Sequence, residues 1–403
     1  MRICGVVAEY NPFHSGHEHH LAEIRRMLGE NCAVVCCMSG DFVQRGEAAI
    51  LPKHPRAQAA VLSGADLVVE LPLPYSLSSA EGFAENALRI LSGLGVLTDL
   101  SFGAEDADEA LLRETAGILL EHDTVAATLA NLKTGVSYAA ARERALYARI
   151  RQRADVLKKP NNILAVEYCK AVQKQQLSLS LLPIVRKGVG HDQGPEDGDG
   201  PVSASYLRSL LRNGNFQEAA RRMPEGCRDV LRNAVAEGRA LLDDERLECA
   251  VLSQLLRLEP NDLAALPGAA EGLEHRLYAA IHASRTPEEI AAAAKTKRYA
   301  LSRIRRMLCC AWLGITAADA AIPAPYIRIL AFNDKGREVL GLARKKAVLP
   351  LITKPAHTED LSPEAKRIFA LTARAADLYA LTLPAWRQAR PGDDWRQNAV
   401  YVR

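Results

Sequence analysis

The sequence predicts an α/β protein with a mostly parallel sheet, followed by a mainly α-helical second half. Three observations predict it. Through the first half of the 403 residues, apolar runs alternate with helical patterns, as strands joined by crossover helices do. The apolar runs are nearly continuous, as in strands buried on both faces. From about residue 214 the alternation stops, and alanine-rich segments of helical period take over.

The first strand is expected over Ile3–Ala8. It stops at Asn11-Pro12, because proline has no N–H for a ladder and biases the residue before it away from helix. A helix follows over 15–28, with apolar residues at Leu21, Ile24, Met27 and Leu28. Further strands are expected at 33–38, 66–71, 99–102 and 177–185, and helices at 52–63, 79–91 and 107–120. Pro52 suits a first helical turn. Residues 123–174 show no strand pattern and read as helices inserted before the last strand. Residues 187–200, rich in Gly and Asp, have the composition of a loop. Beyond them, 228–243, 245–258, 271–283 and 287–313 are helical in period, with a small strand region near 326–332 and 348–353. The expected domains are therefore 1–213 and 214–403.

Composition excludes several classes. A hydrophobic content of 48% with 25% charged residues is that of an ordinary soluble protein. A net charge of +3 is too small to indicate nucleic acid, so local patches must carry any such reading. No apolar run is long enough to span a bilayer, and Glu9, Asn11 and His14 interrupt any leader-like start. Nine cysteines lie mostly in apolar contexts without a Cys-x-x-Cys pair, which gives zinc ribbons and redox motifs no support. A reduced, cytoplasmic enzyme without a protein-ligated metal is expected.

The chemistry concentrates at His14-Ser15-Gly16-His17, where a strand hands over to a helix. A helix N-terminus offers unpaired N–H groups and partial positive charge, a natural phosphate site. Imidazole donors there would stabilise charge building on a five-coordinate phosphorus. The alternative is a solvated, histidine-rich helix start formed by His14, His17, His19 and His20. The motif is similar to the His-x-Gly-His signature of nucleotidyltransferases. A second phosphate-binding candidate is Ser203-Ala204-Ser205-Tyr206-Leu207-Arg208 after the last strand, with a plain serine cap as its alternative. It resembles the Ser-Ser-Thr-x-x-Arg motif of the same superfamily, with Ala204 and Ser205 as departures. Ser39-Gly40-Asp41-Phe42-Val43-Gln44-Arg45-Gly46-Glu47 reads as a ligand loop or a surface turn, and Lys53 and Arg56 as phosphate contacts or solvated charges.

Together these motifs resemble the tRNA(Met) cytidine acetate ligase family. The resemblance rests on 8–17, on 39–47, and on Gly64-Ala65-Asp66-Leu67-Val68-Val69-Glu70-Leu71-Pro72. Phe102-Gly103-Ala104-Glu105, Lys159-Pro160-Asn161-Asn162-Ile163-Leu164 and Lys295-Thr296-Lys297-Arg298-Tyr299 continue it, in order, to about residue 354. It implies a Rossmann-like nucleotidyltransferase domain, followed by a mainly α-helical tRNA-binding domain. The implied activity is ATP-dependent formation of acetyl-adenylate from acetate, then acetylation of N4 of the wobble cytidine of elongator tRNA(Met). His14 and His17 would be catalytic. The ATP site would comprise Val7, Ala8, Glu9, Tyr10, Asn11, Pro12, Phe13, His14, Ser15, Gly16, His17, Glu18, His19 and His20. Gly103, Asn161, Asn162, Arg186, Ser205 and Arg208 would complete it, with Mg2+ accompanying ATP.

Residues 295–306 carry no acidic side chain. On a helix, Lys295, Arg298, Ser302, Arg305 and Arg306 share a face, a stripe suited to phosphate backbone; a solvated amphipathic helix is the alternative. Lys295, Lys297, Arg298, Arg305 and Arg306 are the expected RNA contacts. With only 5% aromatic residues, a backbone-reading surface is favoured over a stacking platform. Rival readings are an acetate ligase acting on a citrate lyase thiol, a non-catalytic tRNA-binding protein, and a cofactor adenylyltransferase. No residue stands out as a general base for acetyl transfer.

Overall fold

The computed structural model describes residues 1–186, 202–270 and 272–403, so the loop expected at 187–200 lies outside the described residues. The chain opens with β1 (Ile3–Ala8), α1 (Ser15–Leu28), β2 (Ala33–Ser39), a hairpin of β3 (Phe42–Val43) and β4 (Glu47–Ala48), and α2 (Lys53–Leu62). Next come β5 (Leu67–Leu71), α3 (Ala80–Gly93), β6 (Asp99–Ala104) and α4 (Glu109–Leu120). The insertion expected at 123–174 is helical: α5 (His122–Leu132), α6 (Tyr138–Ile150) and α7 (Pro160–Lys174), leading to β7 (Ser180–Val185) and α8 (Ala204–Arg212). The second half begins with α9 (Phe216–Arg221), α10 (Glu225–Ala236), α11 (Glu245–Leu255), α12 (Pro260–Ala264) and α13 (Leu273–Ala283). It continues through α14 (Pro287–Ala294), α15 (Leu301–Leu313), α16 (Ala317–Ala321), β8 (Ile327–Phe332) and α17 (Asp334–Lys346). It ends with β9 (Leu351–Ile352), α18 (Pro363–Leu381) and β10 (Val400–Tyr401).

Along the sheet the parallel strands run β5-β2-β1-β6-β7. The chain reverses its direction of travel across the sheet between β1 and β6, and ligands of such sheets bind beyond the carboxyl ends of the strands at that point. Both faces are buried: in β2, Ala33, Val35 and Cys37 enter one core while Val34, Cys36 and Met38 enter the other. Continuous apolar strands are the sequence image of this double cover. All nine cysteines are free, and eight are buried.

Two expectations are corrected. The strand region near 326–332 is not separate from the first sheet. β8 pairs antiparallel with β5, Leu67 opposite Phe332, and β10 adds parallel to β8. Residue 213 therefore divides the sequence without dividing the sheet. β5 is apolar except for Glu70 and would otherwise present an open edge. Second, the helix expected over 287–313 is broken between α14 and α15. Thr296 Oγ1 accepts the N–H groups of Arg298 and Tyr299, each at 3.1 Å, a local bond that competes with the helical ladder. The basic residues 295–306 thus do not form one continuous stripe.

Lys53 and Arg56 are corrected as well. Arg56 donates to the carbonyls of Glu9, Ser39, Gly40 and Leu51, tying loop backbone together. Lys53 Nζ lies 2.9 Å from Glu70 Oε1 and 2.8 Å from Asp394 Oδ2. Arg328 pairs with Asp394 and approaches Glu70 Oε2 at 3.5 Å. These four side chains are nearly fully buried and their charges cancel. Burial would raise the pKa of the Asp394 carboxyl, but Lys53 and Arg328 outweigh it and hold it below the usual range.

Asp394→Asn leaves Lys53 and Arg328 facing one carboxylate and is expected to cost about 3–5 kcal/mol, read by urea unfolding near neutral pH. The stabilisation is present above the ordinary carboxyl pKa and disappears as pH falls through the depressed folded value. A loss below about 1 kcal/mol would show that the network is not a stabilising lock.

Candidate active site

Beyond the carboxyl ends of β1 and β6 lies a cavity of about 760 Å³, walled by α1, α7, α8, the β3–β4 hairpin and the start of α15. After β1 the backbone turns at Tyr10, with φ of 48°. The Tyr10 hydroxyl meets Cys36 Sγ at 3.3 Å, and its ring packs on Phe13 and His17. This apolar plug delivers the chain to the first turn of α1.

That turn is capped by its own histidines. His14 Nδ1 accepts the Gly16 N–H at 3.1 Å, and His17 Nδ1 accepts the His14 N–H at 3.3 Å. The two rings stack with centroids 3.8 Å apart. A neutral imidazole that accepts at Nδ1 carries its proton at Nε2, so both rings keep an Nε2–H donor. Burial, then nearby Arg186, pushes the His14 pKa down to about 3. Burial, then His14 and Arg186, holds His17 well below its ordinary value. A Cβ at position 16 would lie 2.9 Å from His14 Cε1, so Gly16 makes room for the His14 ring.

His20 joins α1 to β6. Ser101 Oγ donates to the Leu182 carbonyl at 2.9 Å, so it accepts from His20 Nε2, also at 2.9 Å. Burial and then Arg186 lower the His20 pKa to about 4. Just past β7, Arg186 Nη1 donates to Asn161 Oδ1 at 2.6 Å, and Asn161 Nδ2 donates to Glu105 Oε1, just past β6, at 2.6 Å. A Cβ on Gly103 would approach Arg186 Cγ to 3.0 Å, which explains the missing side chain.

At the other end, Ser203 caps α8 by accepting the Tyr206 N–H at 3.1 Å. Arg208 donates to the Asn11 carbonyl at 2.9 Å and to Ser205 Oγ at 3.3 Å, and pairs with Glu47 at 3.3 Å. Asn11 Oδ1 accepts the Ile50 N–H, while its buried Nδ2 has no partner among the described residues. Glu9 Oε1 accepts the Gln44 N–H at 2.7 Å; burial raises its pKa, only partly offset by that bond and by Arg208.

The structure therefore brings both motif histidines, Gly103, Asn161, Arg186, Ser205 and Arg208 around one cavity. It does not bring every expected residue there. Pro12 and Phe13 are core, the Ser15 N–H is taken by the Arg222 carbonyl, and Glu18 points to solvent. Asn162 is fully buried, accepting from the N–H groups of Glu105 and Asp106. Lys295, Lys297 and Arg298 lie outside the cavity, but Arg305 and Arg306 line it. The apolar wall from Phe83, Leu164 and Tyr168 carried no sequence signal beyond ordinary helical spacing.

The chain matches the model of the HIGH Nucleotidyl Transferase family over residues 1–393 and belongs to that class of protein. It is 35% identical to the tRNA(Met) cytidine acetate ligase of Acetivibrio thermocellus, over 100% of both chains. A Thermoanaerobacter sp. protein of the same name is 36% identical, covering 94% of this chain and 95% of its own. The crystal structure of Thermotoga maritima TmcAL in its apo form I superimposes with a TM-score of 0.95 at 30% identity, over 100% of both chains. The same protein bound with alpha-thio ATP gives 0.92. The chain is a member of the tRNA(Met) cytidine acetate ligase family.

His14 and His17 are expected not to titrate between about pH 5 and 8 in the free protein, as ring resonances in isotope-labelled protein would report. Unfolded histidines take up protons near pH ~6.5, so stability falls as pH drops below that value. Titration of either ring near its ordinary value would overturn the assigned donor state.

Proposed function

We propose that this protein is an ATP-dependent acetate ligase that forms acetyl-adenylate and acetylates N4 of the wobble cytidine of elongator tRNA(Met). The pair of neutral Nε2–H donors at the start of α1 carries the reading. It rests also on family membership and on the alpha-thio ATP held by the Thermotoga maritima protein. Gly103, Asn161 and Arg186 flank the nucleoside side of the cavity, and Ser205 with Arg208 the pyrophosphate side.

Acetate oxygen attacks the α-phosphorus, and the bond to pyrophosphate breaks in line. His14 and His17 donate hydrogen bonds to the non-bridging oxygens as charge builds there. Being neutral, they donate without first binding a proton. The cytidine amine then attacks the carbonyl carbon of the mixed anhydride, AMP leaves, and the amine loses a proton. That amine is a poor nucleophile because its lone pair is delocalised into the ring, hence the activated acyl group. Magnesium is assigned to arrive with ATP. Catalysis is assigned to residues 1–213, and tRNA binding to helices within 214–403, with Lys295, Lys297 and Arg298 on the RNA surface. No helix among the described residues is long and apolar enough to cross a membrane, which fits a cytoplasmic tRNA-modifying enzyme.

Purified protein should exchange labelled pyrophosphate into ATP only when acetate is present, without RNA. His17→Ala should slow this about 10²–10³-fold, the usual loss for one oxyanion donor. Exchange indifferent to acetate, or absent altogether, would sink the ligase assignment. For the RNA step, Lys297→Ala should weaken tRNA binding and flatten its salt dependence by about one unit of slope, measured by filter binding across a salt series. An unchanged slope would remove Lys297 from the RNA surface.

A further inference from the structure

Arg306 lies on the basic segment that the sequence assigns to RNA, yet its side chain lines the catalytic cavity. The reason is local. With the helix broken at 295–300, α15 starts afresh at Leu301, burying Ile304, Met307 and Leu308 in the helical core. Its first turns are pressed against the β3–β4 hairpin. Gly46 adopts φ of +79°, and a Cβ there would lie 2.5 Å from the Arg305 carbonyl carbon. The helical half thus contributes a wall of the cavity.

The charges along that wall are not equivalent. Arg305 pairs with Glu288 at 2.8 Å and approaches Glu47 at 3.7 Å. Arg208 pairs with Glu47, and Arg186 bonds to Asn161 with Glu105 nearby. Arg306 has no hydrogen bond, ion pair or neighbouring carboxylate among the described residues. Burial is the main influence on it and lowers its pKa, with only Cys310 and Arg303 acting besides. A half-buried guanidinium that lines a cavity without a counter-charge is placed to meet an anion there, and its planar fork suits carboxylate and phosphate oxygens.

We propose that Arg306 binds a substrate oxyanion in the cavity during adenylate formation, either the acetate carboxylate or a phosphate of ATP, rather than the RNA backbone. This rests on the ligase reading and adds to it a substrate-binding group from the helical half. The residue acts before tRNA arrives.

The test is acetate-dependent pyrophosphate exchange by the full chain without RNA, comparing wild type with Arg306→Met and Arg306→Lys. Arg306→Met should lower kcat/KM about 10- to 100-fold, the loss expected for hydrogen bonds to a charged group. A rise confined to the KM for acetate identifies the carboxylate as ligand; one confined to ATP identifies the phosphates. Arg306→Lys, which keeps the charge but loses the fork, should fall between. The melting temperature of ligand-free Arg306→Met should equal or exceed that of wild type, because an uncompensated charge has been removed. That readout separates lost binding from lost folding. Wild-type exchange rates in Arg306→Met would overturn the inference, most pointedly if tRNA retention fell instead. A silent wild type would overturn the ligase reading and this inference with it.

Discussion

The hydrogen bonds that cap the first turn of α1 also set the chemistry of the site. A helix start leaves backbone N–H groups without partners, and most helices satisfy them with Ser, Thr, Asp or Asn. Here the acceptors are Nδ1 of His14 and Nδ1 of His17, used reciprocally. Each cap bond commits one ring nitrogen to accepting, so the other must carry the proton. Two donors are thus fixed beside the positive end of a helix, without counter-ions and without protonation. The other constraints serve this arrangement. Gly16 leaves room for the His14 ring, the Tyr10–Phe13 plug sets where α1 begins, and His20 pins the helix to β6.

The second half of the chain completes the first structurally as well as lying next to it. β8 covers the edge of β5, and the buried quartet of Lys53, Glu70, Arg328 and Asp394 joins residues from four distant parts of the sequence. Such a quartet is weak as a source of stability, because desolvation offsets most of the Coulomb gain. Its value lies in registry: any misplacement of the last segment leaves two cations facing one carboxylate. The Lys53 N–H donates to Asp41 Oδ1 at 2.7 Å and Arg56 donates to the Ser39 and Gly40 carbonyls, so the loop leading into the hairpin is tied to the helix that carries Lys53.

Much of this was legible in the sequence, for identifiable reasons. Parallel strands buried on both faces write continuous apolar runs, so β1, β2, β5, β6 and β7 could be placed from them. The motif histidines and Arg186 follow strands β1 and β7, Gly103 lies near the end of β6, and Asn161 and Arg208 lie in the first turns of helices that meet the same rim. Lys53 and Arg56 were misread because a charged residue beside a ligand loop is normally solvated or ligand-bound, and nothing near them in sequence discloses Asp394. β8 was placed apart from the sheet because long-range antiparallel pairing leaves no local trace, and the two-residue β10 was not anticipated. The break at Thr296 was hidden by good helix formers on both sides. Asn161 and Asn162 illustrate the limit: adjacent and chemically identical, one faces the cavity while the other is consumed by two backbone N–H groups.

The shared wall also bears on how two half-reactions can use one cavity. An acyl-adenylate is reactive toward water, so a site that made it far from the acceptor would lose it to hydrolysis. Here the first turns of α15 face the cavity, while residues 295–298, just before that helix, lie outside it. An RNA held by residues 295–298 would therefore be anchored a few residues along the chain from the arginine proposed to bind a substrate oxyanion. The helix break at 295–300 is what permits this, since a continuous helix would put all these cations on one face. Turning the chain at Thr296 leaves the first cations outside the cavity and places Arg305 and Arg306 on its wall, so on the proposed reading one short basic segment would serve both the substrate and the macromolecule that consumes its product.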